Sequence, residues 1–380
     1  MPSNLKQFQN NWTNNNAYFD MLQLLAQLSK LFSENSIPYL DYRIAENVFC
    51  KYFSAKNEAR HCHAFDAKLG SIGVGVKTFI LKANGTSIEK IAEFDKLKSE
   101  FDSLKGIDLA KKIAEFRNER IRAAENILGV ADRQYHVVGR MPNLLRIFNF
   151  QYDKIDISNI KMEKSKNANI IKFSDNKNLY EFNSSKSVLM QQFCCPENNY
   201  KDVPIDIVED PYEILEKCFK EKKLAKILPG NEKKEDYIIL PLYSTRDKDV
   251  PKKSGLNQWN AGGRSRDENE VYIPVPKLVH DKAPNFFPNG SFNLELPNGQ
   301  RLSAKLCQQG AKGLMSNPNK SLGKWILRDV LKKDPGELVT MRDLNILDID
   351  SVKVEKISLG NYRISFSKDY QSYENFIAGE

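Results

Sequence analysis

Long apolar runs, a disulfide framework and internal repeats are all missing from this sequence. No stretch reaches about 18 consecutive apolar residues, which is roughly what a membrane-spanning helix requires. The N-terminal segment MPSNLKQFQNNWTNNN is polar and lacks the apolar centre of a secretory signal. We therefore expect a cytoplasmic protein that does not contact a membrane.

Cysteine and histidine are scarce, with six and four residues in the chain. The cysteines follow no framework spacing, so we expect them to be reduced thiols. His61-Cys62-His63, with Cys50 upstream, offers the donor types that zinc prefers. Because no second ligand pair follows at zinc-finger spacing, the sequence favours ordinary buried residues over a zinc site.

Neither sign of charge dominates, because 57 Lys and Arg residues oppose 49 Asp and Glu residues. The formal net charge of +8 favours a polyanionic partner only weakly. The local distribution is more informative, since residues 301–333 contain eight Lys or Arg and a single acid, Asp329. This segment is suited to neutralising phosphates.

The first half of the chain mixes helical and strand patterns. Apolar residues at three- and four-residue spacing predict helices over 17–35, 41–55, 87–101 and 107–128. Alternating β-branched and glycine residues predict a strand over 71–82. Arg117, Arg120 and Arg122 on the last helix are interpreted as solvated charges, with phosphate contacts as the alternative. Together these elements predict an α/β or α+β core.

The second half consists mainly of short strand patterns separated by turn signals, which is typical of a small barrel or sandwich. Prolines interrupt residues 194–211, and a helix predicted over 213–228 follows them. The chain is long enough for two domains, each with its own core. We place them at 1–200 and 205–380.

The most informative chemistry in the first domain is Asp66 followed by the glycine-rich strand that carries Lys77. Side chains alternate along a strand, so Gly73, Gly75 and Lys77 should share one face while the intervening apolar residues enter the core. Lys77 would then stand beside a gap. A gap of this kind suits a metal ion and a phosphodiester, and a lysine there can offset transition-state charge.

This pattern resembles the PD-(D/E)XK nucleases, in which an aspartate ending one strand and an acid-x-lysine on the next hold Mg²⁺. The phrases FDAKLGSIGVGVKTF and IEKIAEF also look like nuclease segments of some restriction enzymes. The resemblance implies that Asp66 binds the metal and that Lys77 positions the attacking water. The sequence departs from the pattern at Ala64-Phe65, where a proline is common, and at Gly75, which replaces the acid.

A second carboxylate must therefore come from elsewhere, because Mg²⁺ is a hard ion that binds oxygen. Some restriction enzymes carry it on the helix after the lysine strand, which implies Glu93 or Glu89. Related nucleases often place a metal-linked glutamate on the preceding helix, which implies Glu46. The alternative is that all three glutamates are solvated helix residues and that Lys77 is a surface strand residue.

The C-terminal phrases are more specific. LNQWNAGGRSRDENEVYIPVP and the segment from FFPNGSF to WILRDVL resemble the B3-type DNA-binding pseudobarrel found in the NgoFVII, BfiI and EcoRII restriction enzymes. The resemblance extends from about Tyr237 to Phe366. Some restriction enzymes with a similar domain cut by phospholipase-D-type chemistry, which needs H-x-K. No histidine here is followed by lysine at that spacing, so we reject that mechanism.

Two loops carry the residues expected to contact DNA. In the resembled fold two arms grip the major groove from either side, and these loops fall at the matching positions. Asn, Gln and Arg side chains pair with adenine and guanine edges, and the first loop provides Asn257, Gln258, Asn260, Arg264 and Arg266. The second loop provides Ser316, Asn317, Asn319, Lys320 and Lys324. The two lysines are expected to contact phosphates, and Trp325 is expected to lie in the core.

We therefore expect an α+β multidomain protein with an N-terminal α/β PD-(D/E)XK-like nuclease core and a C-terminal mostly-β DNA-binding pseudobarrel. The expected function is a type II restriction endonuclease that recognises a short double-stranded DNA sequence and hydrolyses it with Mg²⁺. The alternative is a non-catalytic, sequence-specific DNA-binding regulator whose N-terminal module serves dimerisation or an effector. A homodimer is plausible because both strands must be cut, and a cognate DNA methyltransferase would be the genetic partner.

Overall fold

The computed structural model describes residues 4–59, 64–167, 169–220, 236–307, 310–367 and 372–379. The chain divides into two compact units, one drawn from 1–59, 65–117 and 130–234 and the other from 60–64, 118–129 and 235–380. None of the helices in the described ranges is long and apolar enough to cross a membrane. The sequence His61-Cys62-His63 lies outside the described residues, as does the predicted helix beyond Lys220.

The described elements up to residue 220 are α1 (Asn4–Asn11), α2 (Asn16–Gln27), α3 (Tyr42–Phe53), β1 (Lys56–Asn57), β2 (Ala67–Leu69), β3 (Ile72–Ile80), β4 (Thr86–Glu93), α4 (Gly106–Leu128), β5 (Asp132–Met141), β6 (Leu144–Gln151), β7 (Lys161–Glu163), β8 (Ile170–Ser174), β9 (Leu179–Asn183), β10 (Val188–Cys194), β11 (Tyr200–Pro204) and α5 (Pro211–Lys220). Short 3-10 helices span Trp12–Asn14, Ser29–Leu31, Asp95–Glu100 and Ile157–Asn159.

One sheet of the first unit has the strand order β1-β2-β3-β5-β6-β11. Strands β3 and β5 are parallel, which requires the long crossover that contains α4. The expected alternation along β3 is confirmed, because Ile72, Val74 and Val76 are buried in a core with α1, α2 and α3. The opposite face carries the glycines and Lys77, and therefore belongs to the candidate site.

His136 lies on β5 within the aromatic part of this core and is fully buried. Its ring nitrogens lie 2.8 Å from Oδ1 of Asn149 and 2.9 Å from the Tyr18 hydroxyl. Its ring also packs against Phe49, with centroids 4.9 Å apart. Burial lowers the pKa of His136 to about 4, so the imidazole is neutral in the folded protein at neutral pH.

The second sheet of the first unit has the order β4-β10-β9-β8-β7 and is antiparallel. Its strand β4 replaces the helix predicted over 87–101, so that prediction is wrong. The helical spacing came from Phe94, Leu97 and Phe101, which are buried just after the strand. The backbone of β4 pairs with β10, and this long-range partner overrides the local pattern.

The proline-interrupted stretch expected to separate the domains instead contributes β11 to the first unit. This strand pairs with β6, and Val203 and Ile205 enter the core formed with α1 to α3. Pro204 is the last residue of this edge strand, a position at which the sheet tolerates a residue without a backbone N–H.

The described elements from residue 236 onward are β12 (Tyr237–Pro241), β13 (Ile273–Pro274), α6 (Lys277–Lys282), β14 (Phe292–Glu295), β15 (Arg301–Cys307), β16 (Gly313–Ser316), α7 (Lys320–Gly323), α8 (Met341–Leu347), β17 (Ser351–Ser358), β18 (Asn361–Phe366) and α9 (Ser372–Ala378). A 3-10 helix spans Gly255–Asn260, and a π-helix, Lys324–Val330, continues α7.

The strands of the second unit form one sheet with the order β12-β17-β18-β14-β15-β16-β13. Neighbours are antiparallel except β14 and β18, which run parallel. The expected mostly-β C-terminal architecture is confirmed, as is the α+β character of the whole chain. Trp325 is buried, with its ring 5.1 Å from that of Phe366, so its expected place in the core is also confirmed.

Candidate functional site

The glycine face of β3 does not border a gap, contrary to expectation. A Cβ atom on Gly73 would lie 2.7 Å from the Phe65 ring, and one on Gly75 would lie 2.7 Å from the Tyr135 ring. The missing side chains therefore make room for aromatic rings that close against the strand backbone. The space expected for a metal and a phosphodiester beside these glycines is occupied by protein.

These rings belong to a buried polar cluster centred on Arg117. Its Nη2 donates hydrogen bonds to the hydroxyls of Tyr135, at 2.9 Å, and Tyr152, at 2.6 Å. The two tyrosine rings are stacked with centroids 3.9 Å apart. Arg120 is buried as well and donates from Nε to the Ile346 carbonyl at 2.9 Å. Neither arginine is the solvated or phosphate-binding residue expected, whereas Arg122 is exposed.

Asp66 immediately precedes β2 and forms hydrogen bonds to the backbone of the neighbouring strand β3. Its Oδ2 accepts a hydrogen bond from the Val76 N–H at 2.9 Å, and its own N–H donates to the Val74 carbonyl at 2.9 Å. The carboxylate is half-buried and lies beside the residue that precedes Lys77. The Lys77 ammonium donates to the Lys90 carbonyl on β4 at 3.3 Å.

Glu46 lies on α3 and is buried, in contrast to the solvated alternative. The pKa of the Cys50 thiol is raised to about 12, first by burial and then by the carboxylates of Glu46, Asp66 and Glu58. These three acids therefore act on one thiol, which brings Glu46 and Asp66 into the same neighbourhood. Glu58 was missed at the sequence level, although it precedes Asp66 by only eight residues; it is buried and lies 2.6 Å from Lys56.

Glu93 does not occupy the helix expected for it. It is exposed at the end of β4 and forms an ion pair with Lys90. Glu89 on the same strand is better placed, because it is half-buried and its carboxyl lies in the field of Lys77. Burial raises the pKa of Glu89, whereas the hydrogen bond from the Ser87 hydroxyl and then the positive charge of Lys77 oppose this shift.

The donors near Asp66 have the chemistry that Mg²⁺ requires. This ion binds through one or two carboxylates together with water and substrate phosphates, so Asp66 and Glu46 are suitable in type. Among the residues that the structure describes, no three His, Cys, Asp or Glu side chains converge closely enough to hold a metal. The arrangement thus offers carboxylates at a strand edge without a closed metal cage.

In the first C-terminal loop, Asn257 has a role inside the domain. It is fully buried, and its amide donates to the carbonyls of Pro251 and Val339 while its oxygen accepts from the Val339 N–H. With these bonds it cannot read a base, which corrects the expectation. Gln258 is half-exposed and Asn260 is exposed, so both remain accessible.

The two arginines of this loop differ in their surroundings. Arg266 is largely covered, and its Nη1 donates to the carbonyls of Ala261, at 2.5 Å, and Gly262, at 2.9 Å. Arg266 was expected to contact a base, but its hydrogen bonds instead hold the loop in its conformation. Arg264 has 57 % of its side chain exposed and lies 2.5 Å from the buried carboxylate of Glu270, which leaves the guanidinium partly accessible.

The second loop shows the same division. Ser316 is fully buried; its hydroxyl donates to the Pro318 carbonyl at 2.8 Å and accepts from the Leu322 N–H at 2.8 Å. Ser316 thus closes the turn before α7 and is not a base contact, in contrast to the prediction. The other four predicted residues of this loop are exposed: Asn317, Asn319, Lys320 and Lys324.

The end of the first loop contacts the helix that follows the second loop. A Cβ atom on Gly323 would lie 1.8 Å from the Asn269 carbonyl oxygen, so only glycine permits this approach. Arg328 donates from Nε to Oδ1 of Asn269 and from Nη2 to the Glu268 carbonyl, both at 2.8 Å. Arg328 was missed as a site residue, although it belongs to the basic stretch 301–333. We call the exposed parts of residues 258–268 and 317–324 the loop surface.

Residues 231–357 match the family model of the NgoFVII C-terminal B3-like DNA-binding domain. A search of curated proteins found no match to the chain. The matched range contains the whole loop surface and most of the strands of the second unit. The match supports a B3-like DNA-binding domain in the C-terminal part of the chain and double-stranded DNA as a partner.

Proposed function

We propose that this protein is a type II restriction endonuclease that recognises a short double-stranded DNA sequence and hydrolyses its phosphodiester bonds with Mg²⁺. The observation that carries the proposal is the match of residues 231–357 to the DNA-binding domain of a restriction enzyme. Cleavage would be the task of the first unit, where Asp66 accepts a hydrogen bond from the N–H of Val76, the residue before Lys77.

Sequence recognition is assigned to the loop surface. Gln258, Asn260 and Arg264 offer accessible side chains of the types that pair with adenine and guanine in the major groove. Lys320 and Lys324 are exposed at the start of the α7 helical segment, where they can neutralise phosphates and fix the register of the domain on DNA. The buried Asn257, Arg266 and Ser316 hold the loops in shape.

Metal binding is assigned to Asp66, which is half-buried at the edge of β3, and to Glu46, which is buried on α3. When bound, Mg²⁺ would polarise the phosphoryl oxygens of the scissile phosphate. Asp66 accepts a hydrogen bond from the N–H of Val76, and Lys77 is the next residue along β3. The proposed role of Lys77 is to orient the attacking water and to offset the negative charge that develops on the phosphate. Glu89 on β4 lies in the field of Lys77, and the lysine charge partly offsets the rise that burial causes in the Glu89 pKa.

The test is to incubate purified protein with DNA of varied sequence, with and without Mg²⁺. Discrete fragments are expected from the wild type and none from Asp66→Asn or Lys77→Ala. Asp66→Asn removes the charge but keeps an oxygen that accepts the Val76 N–H, so the strand edge remains capped. Glu93→Ala is the matched control, because Glu93 is exposed and should be dispensable. Intact DNA across many sequences would refute the nuclease assignment.

A second candidate function is a non-catalytic DNA-binding regulator, and one observation favours it. The glycine face of β3 is filled by aromatic rings instead of bordering an open site. If the protein is such a regulator, it should bind a specific DNA sequence and cleave no DNA in the presence of any divalent metal ion. Sedimentation of the free protein would show whether it is the homodimer that both candidates accommodate, and a neighbouring methyltransferase gene would favour the nuclease.

A further inference from the structure

Glu268 is an exposed acid at the end of the first segment of the loop surface. On a surface that must approach a polyanion, a carboxylate weakens binding to phosphates. A carboxylate cannot contact phosphate favourably, but it is the group that accepts a hydrogen bond from the N4 amino group of cytosine in the major groove. The position of Glu268 therefore suits base discrimination better than affinity.

The backbone that carries Glu268 is hydrogen-bonded to the π-helix that follows the second loop. Arg328 donates from Nη2 to the Glu268 carbonyl at 2.8 Å and from Nε to Oδ1 of Asn269 at 2.8 Å. Its Nη1 donates to the Lys333 carbonyl at 2.7 Å, so the guanidinium is itself anchored in the domain. Gly323 permits close backbone contact with Asn269 on the other side. A side chain presented from such a fixed backbone can discriminate between bases.

The two neighbouring acids are already engaged, whereas Glu268 presents its carboxylate to solvent. Oδ1 of Asp267 accepts from both the backbone N–H and the side-chain amide of Asn269, each at 2.9 Å. Those bonds hold the pKa of Asp267 below its usual range, helped by the charges of Lys320 and Arg328. Glu270 is buried against the two arginines of the first loop.

We propose that Glu268 is a specificity-determining residue that accepts a hydrogen bond from the N4 amino group of one cytosine in the recognition sequence. This inference rests on the proposed role of the loop surface in DNA recognition. Thymine at the same position would present its O4 acceptor to the carboxylate, so the contact would be lost and replaced by repulsion.

The test first selects the preferred duplex of the wild-type protein from a randomised duplex library, without divalent metal so that DNA stays intact. Each C·G pair of that duplex is then replaced by T·A, and binding is measured for wild type and Glu268→Ala. At one cytosine, wild-type affinity should fall about tenfold or more, while the variant should show no loss. Asp281→Ala removes an exposed acid from α6 and should keep the wild-type pattern.

Random duplex provides the second comparison, because removing the carboxylate should leave its affinity unchanged or higher. The inference is overturned if Glu268→Ala keeps the wild-type penalty at every cytosine. It is also overturned if the variant loses affinity equally for all duplexes, since that would indicate a structural role. Failure of the wild type to select any sequence would instead refute the proposed DNA recognition itself.

Discussion

Replacing Gly323 with alanine is the sharpest test of how the two C-terminal loops are joined. The added Cβ would lie 1.8 Å from the carbonyl oxygen and 2.7 Å from the carbonyl carbon of Asn269. The loop 267–270 must therefore retreat by more than an ångström, which stretches both hydrogen bonds that Arg328 donates to this segment. Gly323 has helical φ and ψ of −67° and −40°, so alanine meets no backbone strain of its own.

Overpacking of this kind costs about 1–3 kcal/mol of the free energy of unfolding, and higher helix propensity returns at most about 1 kcal/mol. Chemical denaturation should show the net loss, and binding to the preferred duplex should weaken because the loop surface is distorted. Gly290→Ala is the matched control, since Gly290 lies outside the loop surface and a Cβ there meets no atom within 4 Å. If both variants denature and bind like the wild type, the loops are not in contact as described.

Three further outcomes are expected. Burial lowers the pKa of His136 to about 4, so the histidine costs no stability above about pH 6.5, where it is neutral in both the folded and the unfolded chain. As pH falls from 6.5 towards 4, only the unfolded chain is protonated, and the free energy of unfolding should fall by up to about 3 kcal/mol. A denaturation midpoint unchanged over that interval would contradict this. Asn257→Ala should lower thermal stability, whereas Asn260→Ala should weaken DNA binding at unchanged stability, and the reverse result would refute the burial argument. Gly75→Ala should destabilise the first unit by about 1–3 kcal/mol through its clash with Tyr135, measured by denaturation.

Both candidate sites depend on side chains buried beneath the surface expected to act. On β3, tyrosine rings that are hydrogen-bonded to Arg117 fill the expected gap. Asp66 at the strand edge and Glu46 on α3 are the carboxylates proposed for a metal. In the C-terminal unit, Asn257 and Ser316 support loops whose neighbours are exposed. Mutagenesis of either site therefore needs a stability measurement beside each activity measurement.

The local pattern alone determined several features of this protein. Alternation along Ile72 to Lys77 identified which side chains of β3 enter the core with α1 to α3, because a strand has a side-chain period of two wherever it lies. The short strands and turns after residue 236 indicated a mostly-β unit, and Trp325 was expected in its core. Each of these depends only on residues near one another in the chain.

Tertiary structure decided what local pattern cannot contain. Glu93 lies on a strand because β10 supplies hydrogen-bond partners to β4, although the residues around it also fit a helix. Asn257 and Gln258 are adjacent polar residues that the sequence makes equally suitable for base contacts. Asn257 is buried because it bonds to the backbone of Val339, which is 82 residues away in the chain. Side-chain type sets what a residue can bind, whereas long-range packing sets whether it is free to do so.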